Sequence, residues 1–187
     1  SLTLKYAQTD KPHVRISERV IDPYMLRGIH LVTSSHNHTD HLDAETLKPI
    51  IQNNPGIKML IPEANRAFVT ERIRQPFTFP IGINDGEEVN IDGIQVYGIP
   101  AAHNNLDRNA EGKCLYMGYV FRINGKHIYH SGDTLWFEGL EHLLRPFDID
   151  LALLPINGND PARKVSGNLN AKEAAQLAKA IGAKLTV

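Results

Sequence analysis

One stretch decides the fold of this chain: Ser34-Ser35-His36-Asn37-His38-Thr39-Asp40-His41-Leu42-Asp43. It holds three histidines and a carboxylate within a few residues. The run before it, Ile29-His30-Leu31-Val32-Thr33, is mostly apolar and β-branched, which predicts a buried strand. We therefore expect the histidines on the loop that leaves this strand, and in layered α/β proteins such loops bind ligands.

The spacing of these side chains indicates a metal site. His36 and His38 alternate, so in an extended segment both imidazoles project to the same side, and Asp40 and His41 follow as the chain turns toward a helix. Neutral imidazole binds zinc, iron, nickel or copper, and a neighbouring carboxylate widens the choice toward manganese. The alternatives are a histidine-rich surface loop and histidines that cap the next helix. The position of the motif after a strand favours the metal site.

The pattern His-x-His-x-Asp-His resembles the signature of the metallo-β-lactamase fold superfamily, whose members hydrolyse many substrates at a centre of one or two metals. The resemblance implies a further histidine, matched by His103 at the end of 96–103, and a bridging aspartate, matched by Asp133 in His130-Ser131-Gly132-Asp133-Thr134. It implies an α/β fold: a metallo-β-lactamase-like four-layered αβ/βα sandwich with mixed sheets. The family also has opening strands and a last histidine ligand, and we expect this chain to lack both.

A narrower resemblance is to the branch that includes bacterial L-ascorbate-6-phosphate lactonase and related metal-dependent hydrolases. It rests on four segments: Asp10-Lys11-Pro12-His13-Val14-Arg15, 35–41, 129–134 and Leu154-Pro155-Ile156-Asn157-Gly158. It implies one or two divalent ions, manganese or zinc, and hydrolysis by a metal-bound hydroxide. The expected substrate is a lactone or ester of a small anionic, sugar-phosphate-like molecule.

The resemblance also assigns roles to the ligands. His36, His38 and His103 would hold one metal, Asp40 and His41 the second, and Asp133 would bridge the two. If only one metal binds, Asp40 is the candidate catalytic base.

Other roles stay open for several of these positions. His103 in isolation fits an ordinary loop residue, and Asp133 fits an Asx turn. His130 either orients a ligand or lies half-buried in its strand. Asn157 and Gly158 either line the substrate pocket or form a plain turn.

Composition limits the remaining possibilities. The 187 residues are 42% hydrophobic, which predicts a single globular domain over 1–187, and the resemblance implies that this is a hydrolase domain. The net charge of −1 gives no basic field for nucleic acid, no apolar run reaches the length of a membrane span, and the lone cysteine fits the cytoplasm.

The expected partner is a small-molecule substrate, and a homo-oligomer is left open. A phosphodiesterase or RNA-processing nuclease of the same superfamily is the rival function, and a non-catalytic metal-binding relative is another.

The rest of the chain alternates between α/β and hairpin patterns. We expect a helix from Asp43 to about Asn53, with its regular part starting near Leu47 so that Pro49 falls in the first turn. A strand at 57–61 and a helix at 63–73 follow, the helix with Ala64, Ala67, Phe68 and Ile73 inward.

Tight-turn pairs mark the middle third of the chain. Asp92-Gly93 predicts one hairpin and Asn124-Gly125 another. Their strands end just before His103 and Asp133, so we expect one sheet edge to hold these two residues, together with the first cluster. A strand at 150–154, a helix at 170–181 and a strand at 184–187 complete the pattern.

Overall fold

The computed structural model describes residues 6–9, 18, 20–160, 162 and 165–187. The segment 10–15 that contributed to the resemblance lies outside these residues. The chain divides into two compact units, the first made of Ser1–Ile61 and Asn65–Ile81 and the second of Pro62–Ala64 and Gly82–Val187. That the two form a single domain stays a prediction.

The first unit contains the predicted alternation of strands and helices. Its elements are β1 (Leu31–Thr33), α1 (Ala44–Asn53), β2 (Lys58–Pro62) and α2 (Arg66–Ile73). Strands β1 and β2 are parallel and belong to a sheet of order β1-β2-β3, whose third strand, β3 (Ile81–Ile83), begins at the last residue of the first unit. The core beneath the sheet is aliphatic and comprises Leu42, Leu47, Met59, Ile61, Val69 and Ile73.

The start of α1 differs from the sequence prediction. The helix begins at Ala44, not near Leu47, so Pro49 lies inside it and not in its first turn. Asp43 caps the helix by accepting a hydrogen bond from the Glu45 amide. Proline removes one helical hydrogen bond, but this cap and the burial of Leu47 and Pro49 itself offset the loss.

The inward face of α2 was also predicted in part incorrectly. Val69, Thr70 and Ile73 are buried, whereas Ala67 is exposed and Phe68 is 42% exposed. The Arg72 guanidinium lies 4.4 Å from the centre of the Phe68 ring. A cation over an aromatic face covers that ring without burying it in the core.

The second unit is built on one sheet of order β4-β5-β6-β7-β8-β9. Its strands are β4 (Glu88–Ile91), β5 (Ile94–Pro100), β6 (Met117–Ile123), β7 (Lys126–His130), β8 (Leu151–Leu153) and β9 (Leu185–Thr186). The helices α3 (Leu140–Leu144) and α4 (Ala171–Ala180) accompany them. The core combines residues of the sheet with residues of both helices, among them Val120, Tyr129, Leu140, Ala152 and Leu177.

Both predicted hairpins are confirmed. Asp92-Gly93 joins β4 to β5, and Asn124-Gly125 joins β6 to β7. All four turn residues have positive φ, which is the conformation that a two-residue type I′ turn requires. The predicted helix near the end is confirmed as α4, where Asn170 and Glu173 form a reciprocal capping box.

Strand direction determines where the loops of this unit lie. β5 and β7 are both antiparallel to β6, and β8 is parallel to β7, so β5, β7 and β8 all run in the same direction. The loops that carry His103, Asp133 and Asn157 therefore leave the same edge of the sheet. No helix in the described ranges has both the length and the apolar character needed to cross a membrane.

Candidate metal centre

The histidine loop of the first unit follows β1 directly. The ring of His36 lies 4.6 Å from that of His38 and 4.2 Å from that of His41, measured between centroids. The Asp40 carboxylate is 3.6 Å from Nε2 of His41. His36 is buried at 1% exposure, whereas the side chain of Asp40 is 59% exposed. The loop therefore gathers three imidazoles and one carboxylate, as the sequence predicted.

Hydrogen bonds to the backbone fix the shape of this loop. The Ser34 hydroxyl donates to the carbonyl oxygen of His36 at 2.8 Å. Arg72, on α2, donates to the carbonyl oxygen of Asn37 at 2.7 Å, and the Asn37 side chain donates to Asn65 at 3.1 Å. The backbone between the histidines is thus held from both sides, which limits how far their side chains can move.

A serine contacts two of the rings directly. Ser35 Oγ lies 2.9 Å from Nδ1 of His36 and 3.0 Å from Nδ1 of His41. Ser35 is 5% exposed, so water does not compete for these contacts. Sequence reasoning did not assign a role to Ser35, although it lies directly before the motif.

His103, in the second unit, is oriented by a distant glycine. Its Nδ1 lies 3.3 Å from the carbonyl oxygen of Gly167. A carbonyl oxygen can only accept, so this contact requires the ring proton on Nδ1 and leaves the lone pair on Nε2. His103 is 9% exposed, and Tyr116 packs beside it with 5.1 Å between ring centroids.

Gly167 cannot carry a side chain in this position. Its φ is +72°, and a Cβ atom built there would lie 1.8 Å from Nδ1 of His103. The absence of a side chain therefore lets the backbone approach the imidazole. No local sequence signal indicates this contact, because 64 positions separate the two residues.

Asp133 lies beside His103 because two loops are hydrogen-bonded together. The Ala102 amide donates to Oγ1 of Thr134 at 3.0 Å, and the Leu135 amide donates to the Ala102 carbonyl oxygen at 2.8 Å. One ligand atom of His103 and one carboxylate oxygen of Asp133 lie within 4.8 Å of each other. The sequence prediction that one sheet edge brings His103 and Asp133 together is confirmed.

Negative charge also acts on Tyr116. Burial raises the pKa of its hydroxyl, and the charges of Asp107 and Asp133 raise it further. Tyr116 therefore stays protonated at neutral pH, which keeps a neutral phenol beside His103.

The remaining predicted site residues have structural contacts. His130 is exposed and not half-buried, because it is the last residue of β7, and its Nδ1 accepts a hydrogen bond from the Gly132 amide at 3.1 Å. This contact braces the turn that carries Asp133. Asn157 forms a bridge with Asn170, and the Gly158 amide donates to the Leu169 carbonyl oxygen. Both residues are thus joined to the segment before α4, and the two roles, pocket lining and a plain turn, stay predictions.

Comparison with known proteins identifies the family. Residues 9–187 match the β-lactamase superfamily domain. The chain belongs to the β-lactamase superfamily. A UPF0173 metal-dependent hydrolase of Methanoregula boonei is 32% identical to this superfamily member over 178 residues, which is 90% of this chain and 72% of the relative.

A second relative agrees with this family assignment. A UPF0173 metal-dependent hydrolase of Pyrococcus abyssi is 30% identical over 145 residues, covering 76% of this chain and 60% of the relative. The chain thus spans about three fifths of that protein.

A solved structure supports the fold. The isothiocyanate hydrolase from Delia radicum gut bacteria superposes with a TM-score of 0.69 at 22% identity, covering 95% of this chain and 69% of that one. Together with the match to the superfamily domain, this likeness shows that the chain has the metallo-β-lactamase fold, as the sequence predicted.

Proposed function

We propose that this chain is part of a metal-dependent hydrolase that binds one or two divalent cations, zinc or manganese. The histidine loop after β1 carries the proposal, because it gathers three imidazoles and a carboxylate, and two of the imidazoles contact the buried Ser35. Its relatives in Methanoregula boonei and Pyrococcus abyssi bear the name metal-dependent hydrolase. In this proposal His36, His38 and His103 would hold one cation, Asp40 and His41 would hold the second, and Asp133 would be a ligand of both.

The donor atoms fit these metals. All are imidazole nitrogens or carboxylate oxygens, a mixture that zinc and manganese accept. The only cysteine, Cys114, is buried and lies outside the motifs that carry the proposed ligands, and burial and its hydrogen bond to Asp85 raise the pKa of the thiol to about 12. The proposed donor set therefore consists of histidines and carboxylates.

The chain's own residues supply positioning and proton transfer. A divalent cation at these ligands supplies Lewis-acid activation of water and of a substrate oxygen. The Gly167 carbonyl keeps the lone pair of His103 on Nε2. Asp40 is largely exposed and its carboxylate lies beside His41, so with a single cation it can accept a proton from the attacking water.

For the substrate, we infer a lactone or ester of a small anionic molecule related to a sugar phosphate. The support is the sequence resemblance of 35–41, 129–134 and 154–158 to lactonases of the superfamily. A location in the cytoplasm, which the lone cysteine favours, belongs to the same proposal.

Replacement of one ligand tests the metal assignment. The variant His36→Ala should lose bound metal and turnover, since a ligand of the first cation is removed. His142→Ala is the matched control, because the side chain of His142 is 75% exposed and is assigned no ligand role. Metal content is measured by elemental analysis after loading with zinc or manganese. If His36→Ala keeps both its metal and its turnover, the ligand assignment is wrong.

A substrate screen tests the reaction class. Phosphorylated sugar lactones and single-stranded RNA are offered to the chain and to a version extended past Val187, each loaded with zinc or with manganese. Opening of a lactone supports the proposal. RNA cleavage without lactone opening would instead indicate a nuclease, and metal binding without any turnover would indicate a non-catalytic relative.

A further inference from the structure

The hydroxyl of Ser35 is shared by two rings that, under the proposed function, bind different cations. We propose that Ser35 is a positioning residue that orients one ligand of each cation by accepting an Nδ1–H hydrogen bond from both His36 and His41. The inference rests on the proposed function, and it deepens that proposal by naming what fixes the ligand atoms.

The positions of the protons on the two imidazole rings support this role for Ser35. A neutral imidazole has a proton on one nitrogen and a lone pair on the other, so a ring that binds a cation through Nε2 must carry its proton on Nδ1. A hydroxyl oxygen has two lone pairs and can accept from two donors. The distances of 2.9 Å and 3.0 Å from Ser35 Oγ to the two Nδ1 atoms suit two such hydrogen bonds.

The opposite arrangement would disable a ligand. If the Ser35 hydroxyl donated to Nδ1 of either ring, that ring would carry its proton on Nε2 and could not bind a cation there. The rings of His36 and His41 lie 4.2 Å apart between centroids, and both turn Nδ1 toward Ser35. Cation binding through Nε2 of both rings therefore requires Ser35 to act as acceptor toward both.

The neighbouring serine, Ser34, has a different hydrogen-bond partner and provides a control. Ser34 is 2% exposed, similar to the 5% of Ser35, but its hydroxyl donates to the backbone carbonyl of His36. Ser34→Ala should therefore loosen the loop without changing which nitrogen of either ring is protonated. Ser35→Ala removes an oxygen of the same size at the adjacent position.

The experiment compares three variants: Ser35→Ala, Ser35→Thr and Ser34→Ala. Nitrogen NMR of the metal-free protein, above the pH at which the rings are charged, identifies the protonated nitrogen of His36 and His41. Competition with a chromophoric chelator measures zinc and manganese affinity. We expect Ser35→Ala to mix the tautomers and to weaken affinity by about 10- to 100-fold, as removal of an outer partner of a ligand does. Ser35→Thr keeps the hydroxyl and should restore both.

The two readouts separate the possible failures. An Nε2-protonated His36 or His41 in the wild-type protein would overturn the role of Ser35, and so would a Ser35→Ala variant with unchanged tautomers and affinity. Tautomer mixing in Ser34→Ala would also overturn it, since the effect would then arise from the loop and not from the shared hydroxyl. A wild-type protein that binds neither metal would contradict the proposed function, while the tautomer comparison would still decide what Ser35 does.

Discussion

Replacing Gly167 by alanine should disturb His103 from 64 positions away. The new Cβ would lie 1.8 Å from Nδ1 of the imidazole, so the ring must retreat by at least 1.2 Å to restore a tolerable 3.0 Å contact. A left-handed alanine costs about 1–2 kcal/mol, and overpacking costs about 1–3 kcal/mol. The combined loss of about 2–5 kcal/mol is a large part of the 5–15 kcal/mol that stabilises a typical domain.

Metal affinity and stability report this displacement separately. Urea denaturation measures the free energy of unfolding, and chelator competition measures zinc affinity, which should fall by about 10- to 100-fold in Gly167→Ala. Gly182→Ala is the matched control: Gly182 has a φ of +70°, but a Cβ there meets nothing within 4 Å. It should lose only the backbone strain of about 1–2 kcal/mol and keep the affinity of the wild type.

A double-mutant cycle then shows whether the ring is the cause. In a His103→Ala background the overlap is gone, so Gly167→Ala should cost about 1–3 kcal/mol less than it does in the wild type. If the penalty is the same with and without the imidazole, or if Gly167→Ala matches Gly182→Ala in stability and affinity, the contact does not constrain His103.

Three further changes test other parts of the fold. Gly118→Ala places a Cβ 2.8 Å from the carbonyl oxygen of Ser131, so it should cost about 1–3 kcal/mol in urea denaturation and weaken zinc binding by shifting the turn before Asp133. Asn170→Ala removes the cap of α4 and should cost about 1 kcal/mol by the same measurement. Hydrogen bonds from a backbone amide and two lysines lower the pKa of Asp150. Its contribution to stability is therefore present above the unfolded pKa of about 3.9 and lost as the pH falls through the lowered folded value. Asp150→Asn should accordingly lower Tm at pH 7, and the difference from the wild type should close in strong acid. Unchanged stability in any of these variants would contradict the contact on which its prediction rests.

Local signals explain which elements could be predicted from the sequence. Asp92-Gly93 and Asn124-Gly125 predicted their hairpins correctly, because few other residue pairs tolerate two successive positive φ angles. Asn170 marked the start of α4 for a similar reason, since its cap is a contact between near neighbours. The histidine loop belongs to the same class, because its ligand-type residues are consecutive.

Long-range contacts explain the errors and omissions. The interior position of Pro49 depends on core burial that a local rule does not weigh, and the exposure of Phe68 depends on the Arg72 cation above it. The role of Gly167 is visible only when His103 is placed against it. Ser35 was adjacent to the motif, but a serine before histidines carries no signal until both rings are seen to turn toward it.

The hydrogen bonds that join Ala102 to the Thr134 hydroxyl and to the Leu135 amide make the spacing of His103 and Asp133 independent of the two side chains themselves. Either ligand can therefore be exchanged without dismantling the pair, since the remaining one keeps its place. The proposed metal-binding residues at this sheet edge can therefore be substituted one at a time. Asp133→His or His103→Asp would alter the hardness of the donor set, and with it the preferred metal, while the strands beneath stay as they are.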